Sequence, residues 1–239
     1  MEPEALKEKA VSLKVDAVPL IPPVPTLSPA PVVDIALSKK GFYASRGKRV
    51  AGVIVASSMI VALSPILLAT FLLVALDQKS LRLTIFKQDR VGKERKIFSI
   101  YKFRSMASNA EVNGPQFSNG KLDVRITSVG RFIRKFRLDE LPQLFNVLKG
   151  EMALIGPRPE REVFHDRIVK KIPAFRRRLD VRPGITGLAQ VSNGYVGSDL
   201  EGHKAKLDAD LHYIRNLTFS MDLKIAFKTV GCVLRGEGM

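Results

Sequence analysis

From Val50 to Leu76 the chain carries no charged residue. As one straight helix this stretch would run about 40 Å, more than the roughly 30 Å hydrocarbon thickness of a bilayer. Ser64-Pro65 falls in its middle. A proline there cannot bond the Val61 carbonyl and its ring crowds it, so the pattern predicts a kink. The halves, 50–63 and 66–76, would measure about 21 Å and 17 Å, each too short to span. Basic residues flank both sides: Lys39, Lys40, Arg46, Lys48 and Arg49 before, Lys79, Arg82, Lys87 and Arg90 after. Basic flanks favour the cytoplasmic side. A helix–break–helix that dips in and returns therefore meets both constraints, and a kinked spanning helix is the competing reading.

Beyond it, residues 81–106 hold two short alternating apolar runs around Gly92, the pattern of a hairpin. The second run ends in Lys102-Phe103-Arg104, with two cations on one face and an aromatic on the other. That is either a solvated edge strand or a phosphate-facing pair. Residues 107–122 read as a loop, with Asn113-Gly114-Pro115 and Asn119-Gly120. From Ile126 to Phe136 apolar and basic residues interleave as in a basic amphipathic helix, suited to a lipid interface or to a solvated face. Residues 161–179 show near-helical spacing, with Pro173 splitting the helix, and 203–216 and 221–234 predict two more helices. The last carries Leu223, Phe227, Val230 and Leu234 on one side. The expected fold class is α+β and helix-rich: a membrane-inserted segment, 46–79, broken at Ser64-Pro65, then a compact domain, 80–239, with amphipathic interfacial helices.

The stretch Arg137 to Glu160 organises this domain. Asp139 and Glu140 open a helix pattern in which Leu141, Leu144, Phe145 and Leu148 share one face. Pro142 suits a first turn, and Gly150 suits the helix C-terminus after Lys149. The pattern places Asp139 at or beside an N-cap of a helix of about three turns. There a carboxylate near cations is expected to have a depressed pKa, to stay ionised and to be able to attack phosphorus. Its neighbour is suited to hold Mg²⁺, a hard ion that prefers oxygen. Ordinary helix capping places the same two residues there. Arg158 stands between Pro157 and Pro159, and Arg182-Pro-Gly-Ile-Thr-Gly187 reads as a stiff loop with backbone N–H groups free for an anion.

Composition narrows the partners. Against 23 Asp+Glu stand 39 Lys+Arg, a net charge of +16, which calls for an anionic partner. Hydrophobic residues make up 46%, and basic and apolar together favour a membrane surface over nucleic acid. One cysteine, Cys232, excludes an internal disulfide framework and cysteine metal sites. The three histidines are scattered. Half of the 14 prolines precede residue 38. Residues 1–38 therefore read as a disordered, polyproline-like tether and not as a signal peptide. No GxxxxGK[ST] or GxGxxG motif is present.

Several stretches, in order, resemble the bacterial sugar transferases, the monotopic phosphoglycosyl transferases that begin exopolysaccharide and related glycan assembly. They are Phe86-Lys-Gln-Asp-Arg-Val-Gly92, Lys102-Phe-Arg-Ser-Met106, Val129-Gly-Arg-Phe-Ile-Arg134, Leu138 to Met152, Gly156-Pro-Arg-Pro-Glu160, Arg182 to Gln190 and Asp222-Leu-Lys224. The resemblance covers roughly residues 46–235. It departs where Lys79 to Ile85 replace the family's Gly-Pro and aromatic, and where Asp89 replaces a Glu. The likeness is to the family's short form, without an N-terminal helix bundle.

The resemblance implies transfer of a sugar 1-phosphate from a UDP-sugar to a polyprenyl phosphate such as undecaprenyl phosphate, with release of UMP, Mg²⁺ as cofactor and a covalent phosphosugar–enzyme intermediate. By position it implies Asp139 as nucleophile and Glu140 as Mg²⁺ ligand. Arg158 and Arg182 would bind substrate phosphates or the uridine nucleotide, and Lys102 and Arg104 would lie near the active site. The family's Ser-Pro break matches Ser64-Pro65 and favours the re-entrant topology. It implies the bacterial inner membrane, with the domain on the cytoplasmic face. Membrane lipid and downstream glycosyltransferases are further expected partners, and nucleic acid is not. No residue selects the sugar; overall likeness favours glucose or galactose. The competing reading is a non-enzymatic membrane-bound scaffold or regulator of polysaccharide assembly.

Overall fold

The computed structural model describes residues 43–112, 114–116, 123–192 and 199–236. Contacts divide the chain into Met1–Asp34 and Ile35–Met239, and every described residue belongs to the second unit. The proline-rich segment 1–38 lies outside the described residues, as do residues 113 and 117–122 of the loop expected at 107–122.

The uncharged stretch forms two helices, α1 (Lys48–Ala62) and α2 (Ser64–Asp77), bent by 65° at the break. Pro65 sits in the first turn of α2, where its missing N–H loses no helical bond. The Val61 carbonyl accepts instead from Ser64 Oγ at 2.8 Å. Among the described residues no single helix is long and apolar enough to cross a membrane, whereas this bent pair passes by length and composition. Its outward residues are bare, among them Val61, Leu68 and Leu76. Its inward ones are not: Ala56 packs with Ile100, Leu144, Val147 and Met152, and Val74 packs with Phe103 and Ile133. Both legs thus rest on one body.

That body is α+β and helix-rich, built around two small sheets. Strands β1 (Ile85–Val91) and β2 (Ile97–Phe103) form the expected antiparallel hairpin, with Val91 opposite Ile97. Helix α3 (Ser128–Lys135) is capped by Thr127, whose Oγ1 accepts from the Gly130 N–H at 2.9 Å. A 3₁₀ turn, Leu138–Glu140, leads into α4 (Gln143–Lys149), and Gly150 ends α4 at φ +86°, a conformation suited to glycine. Strand β3 (Ala153–Ile155) pairs in parallel with β4 (Gly184–Thr186). Between them lie α5 (Glu162–Lys171) and a 3₁₀ segment, Pro173–Asp180, split where Pro173 predicts. Helices α6 (Leu188–Ser192), α7 (Leu200–Arg215) and α8 (Phe219–Leu234) complete the described fold.

Three expectations change. The Asp139 region is not one three-turn helix with an acidic N-cap. Arg137 adopts a left-handed backbone (φ +53°), the acidic pair occupies a separate 3₁₀ turn, and α4 starts after Pro142. Nor does Phe145 belong to the buried face. It is exposed, and Asn146 is buried in its place, because Asn146 accepts from Tyr101 N (3.0 Å) and donates to Ser99 O (2.8 Å), completing the free edge of β2. Finally, the Arg182–Gly187 stretch is not a free anion loop. The Gly184 N–H donates to Pro157 O at 3.0 Å, and the Gly156 N–H donates to Thr186 O at 2.8 Å. A Cβ on Gly184 would lie 2.1 Å from Gly156 N, so glycine here serves close backbone approach.

Candidate active site

Asp139 and Glu140 are both buried, 7% exposed, although they are adjacent acids in a short turn. Buried charge must be paired. Glu140 Oε1 accepts from Arg158 Nη2 and lies 3.5 Å from Lys102 Nζ, and its Oε2 lies 3.8 Å from Arg137 Nη1. These cations arrive from three places: β2, the turn after α3, and the Gly156–Glu160 loop between β3 and α5. Lys102, which strand alternation alone allows to be a solvated edge residue, is drawn inward to this carboxylate.

The two acids are driven apart. Burial pushes Glu140 up, but Arg158 and Lys102, the hydrogen bond from Arg158, and Arg137 outweigh it and hold the carboxyl well below the usual range. For Asp139, burial and then repulsion from Glu140 prevail over Lys102, Arg134 and Arg158 and push it up to about 6. This reverses the expected depression: the helix terminus invoked for it is absent, and the nearest cations engage the neighbour. Burial, followed by the repulsion of Arg158, also brings Lys102 down to about 8 against the pull of Glu140 and Asp139.

Arg158 is thus in contact with Glu140 of the acidic pair, as is Lys102. Arg104 is not brought to it: its Nε donates to Leu83 O at 2.8 Å and its guanidinium lies 5.1 Å from the Phe86 ring centroid. Arg182 lies at the other end of α4 from the pair, where its Nε donates to Gly150 O at 2.9 Å. Beside it Arg49 donates to Val147 O and Leu148 O, so two arginines satisfy the carbonyls at that helix end. Ser64 and Pro65 stand at the bend of the helix pair, away from these contacts. Sequence patterns do not single out Arg137, Arg134 or Asn146 as site residues. The basic run before Asp139 is the available signal for the two arginines; nothing local marks Asn146.

The chain also has recognisable relatives. It is 46% identical over 191 residues to an Aeromonas hydrophila protein named UDP-N-acetylgalactosamine-undecaprenyl-phosphate N-acetylgalactosaminephosphotransferase, covering 80% of this chain and 44% of the relative. Identity is 41% over 185 residues to a Klebsiella pneumoniae UDP-glucose:undecaprenyl-phosphate glucose-1-phosphate transferase, covering 77% and 39%. A Caulobacter vibrioides protein of the same name is 38% identical over 189 residues, covering 78% and 69%. The chain spans less than half the length of the first two. The family profile described as bacterial sugar transferase matches residues 43–236, which contain every element of the described fold. The chain belongs to the bacterial sugar transferase family.

Proposed function

We propose that this chain transfers a sugar 1-phosphate from a UDP-sugar to undecaprenyl phosphate, releasing UMP, as the first step of a glycan assembly. The observation that carries this is the buried Asp139–Glu140 pair under Lys102, Arg137 and Arg158. Phosphoryl transfer asks mainly for positioning and for positive charge around the moving group. The relatives' names fit the same reaction but carry both N-acetylgalactosamine and glucose, so the donor is proposed as a UDP-sugar.

In the first step, an Asp139 carboxylate oxygen bonds to the β-phosphorus while the bond from that phosphorus to the bridging oxygen breaks, and UMP leaves with the electron pair. In the second, a phosphate oxygen of the polyprenyl phosphate bonds to the same phosphorus and the Asp139 oxygen leaves. Asp139 is the more basic of the two acids and so the better nucleophile. Glu140, firmly ionised, is the better ligand for a cation. Two adjacent carboxylates match the oxygen donors that Mg²⁺ takes from proteins, water and substrate phosphates filling its other positions. Glu140, with Asp139 beside it, would hold the ion; when bound, it would offset charge developing on the phosphoryl oxygens. Arg158 and Lys102 orient the donor's phosphates.

The reading includes a re-entrant placement of α1 and α2 in a bacterial inner membrane, with the domain on the cytoplasmic side. The halves would measure about 22 Å and 21 Å, and both legs end on one body: Lys48 on Asp222 at one end, Asp77 Oδ2 on Thr127 Oγ1 (2.9 Å) at the other. The face of α8 carrying Phe219, Leu223, Phe227, Val230 and Leu234 is exposed. It starts beside the foot of α1, where Tyr43 and Phe219 stack edge-on with centroids 5.5 Å apart. This suits an interfacial helix.

Incubating the protein with UDP-sugar and Mg²⁺ but no lipid should leave a phosphosugar adduct on Asp139, seen by intact-protein mass spectrometry and absent in Asp139→Asn. A cognate donor that releases UMP only when lipid is present, without an adduct, would replace this mechanism with direct displacement. A non-enzymatic scaffold needs no buried acidic pair under three cations; full glycan initiation in cells by Asp139→Asn would restore that reading.

A further inference from the structure

The Gly156–Glu160 loop is unusually well anchored. Pro157 and Pro159 fix φ on both sides of Arg158. All four successive carbonyls accept a hydrogen bond: Pro157 O from Gly184 N (3.0 Å), Arg158 O from Arg178 Nη2 (2.8 Å), Pro159 O from Arg90 Nη1 (3.1 Å) and Glu160 O from Val91 N (2.9 Å). The bond to Arg158 itself comes from a side chain that is 3% exposed. Arg178 Nε donates to Asp210 Oδ2 at 2.7 Å, its guanidinium lies 4.4 Å from the Phe175 ring centroid, and its Nη1 lies 3.8 Å from Glu160 Oε1. Lys206, one turn before Asp210 on α7, donates to that same Glu160 oxygen.

Two buried charges, Arg178 and Asp210, with Lys206 and Glu160 at 16% and 13% side-chain exposure beside them, are an expensive way to fill a core, and apolar residues of similar volume are often as stable or more so. What apolar residues cannot do is fix one carbonyl in direction. The guanidinium fork meets Asp210 with one nitrogen and the Arg158 carbonyl with another, so α7 is linked rigidly to the residue whose side chain grips Glu140. We propose that Arg178, held by Asp210, is a positioning residue for Arg158 in the transferase reaction. It touches no reacting atom; it sets where the Arg158 guanidinium stands relative to Glu140 and the donor's phosphates. The proposal rests on the transferase reading of the site.

The test is a double-mutant cycle on the full chain in detergent or nanodiscs. Arg178→Lys keeps the charge but loses the fork. It should fold and lower kcat/KM for the UDP-sugar by about 10²-fold, the cost of roughly 1 Å of misplacement. In an Arg158→Ala background the same change should cost less than about 3-fold, because a residue acting through Arg158 has nothing left to position. Asp210→Asn should repeat this pattern more weakly. Equal losses in both backgrounds, a wild-type kcat/KM in Arg178→Lys, or failure of both Arg178→Lys and Asp210→Asn to fold would assign the network a merely structural role and overturn the proposal. A readout free of activity separates the two readings. The Arg158 Nε–H NMR signal, assigned by its loss in Arg158→Lys, should shift in Arg178→Lys whatever reaction the protein catalyses. An unmoved signal overturns the positioning role, whereas absence of UMP release from wild type overturns only the transferase reading.

Discussion

Gly184→Ala adds one methyl group where two backbones nearly touch. Its Cβ would lie 2.1 Å from Gly156 N, 2.5 Å from Thr186 O and 2.7 Å from Gly156 Cα, against a working minimum of 3.0 Å. All three are backbone atoms, so no side chain can swing aside. Relieving the shortest contact alone moves Gly156 by about 0.9 Å, from 2.1 to 3.0 Å. The bonds Ala153 N to Pro183 O (2.8 Å), Gly156 N to Thr186 O (2.8 Å) and Gly184 N to Pro157 O (3.0 Å) lie across that gap. Stretched by a similar amount they pass out of bonding range. At about 1 kcal/mol for each bond, and more for each buried group left unpaired, the loss is about 3–5 kcal/mol. For a body of this size that lowers Tm by about 6–20 °C.

Differential scanning fluorimetry in detergent reads the shift directly, and UMP release reads its consequence. The Pro157 carbonyl is attached through Gly184, so Arg158 should move and kcat/KM should fall by about 10²-fold. Gly52→Ala is the control. Its Cβ meets only Val147 Cγ1, at 3.9 Å, and within α1 the change should be neutral or stabilise by up to about 1 kcal/mol. A Gly184→Ala protein with Tm within about 2 °C of wild type would refute the close approach of β3 and β4 from which the loss is derived.

Other perturbations act on the same contacts. Burial pushes the Glu160 carboxyl up, but Lys206, Arg178 and the Lys206 hydrogen bond outweigh it and hold it well below the usual range. Its stabilisation is therefore complete above the unfolded glutamate value of about 4.3 and is lost as pH falls through the depressed native value. Glu160→Gln should flatten the fall of Tm below about pH 4.3, and an unchanged acid limb would show that the pairing contributes nothing. Asp222→Asn removes the carboxylate that pairs with Lys48 and accepts from the Tyr213 and Tyr43 hydroxyls at 2.7 and 2.6 Å. It should destabilise by about 2–4 kcal/mol and speed proteolysis near residue 45, while a neutral result would show that Asp222 is no anchor for α1. With Cys232 replaced, single cysteines near residues 40 and 80 should both be labelled from the cytoplasm; labelling from opposite sides would establish a spanning helix.

Local signals in the sequence are as good as their local causes. The break at Ser64-Pro65, the Gly92 hairpin, the split at Pro173 and the Gly150 cap depend on the residue and its immediate neighbours, and all are legible. Spacing misassigns Phe145 because it marks apolar positions and cannot show that β2 needs a polar partner at Asn146. The Gly184 stretch misleads because a glycine looks the same whether it opens an anion nest or admits another backbone. Arg158 and Arg182 stand in similar Arg-Pro settings, yet one reaches Glu140 and the other the carbonyl end of α4. That distinction is tertiary. So is the split of the acidic pair, which depends on Lys102 and Arg158 lying 38 and 18 residues from Glu140 along the chain.

Strand β2 connects these observations. Ile100 packs in the cluster that holds Ala56 of α1, and Phe103 packs in the one that holds Val74 of α2. Between them Lys102 faces Glu140, and the Tyr101 N–H is taken by Asn146 of α4. One extended segment therefore touches both legs of the helix pair, the acidic turn and the helix after it. If the pair sits in the bilayer as proposed, β2 is the rigid link between depth in the lipid and the position of Lys102. A strand suits this task because its side chains alternate at fixed spacing. Its apolar residues seat on the two legs of the helix pair while a cation between them is carried to Glu140. A flexible linker between membrane segment and domain would let the acidic pair drift relative to the lipid surface. In the proposed placement the buried contacts at both legs would instead hold it at one height, where the lipid-borne phosphate of the proposed reaction would arrive.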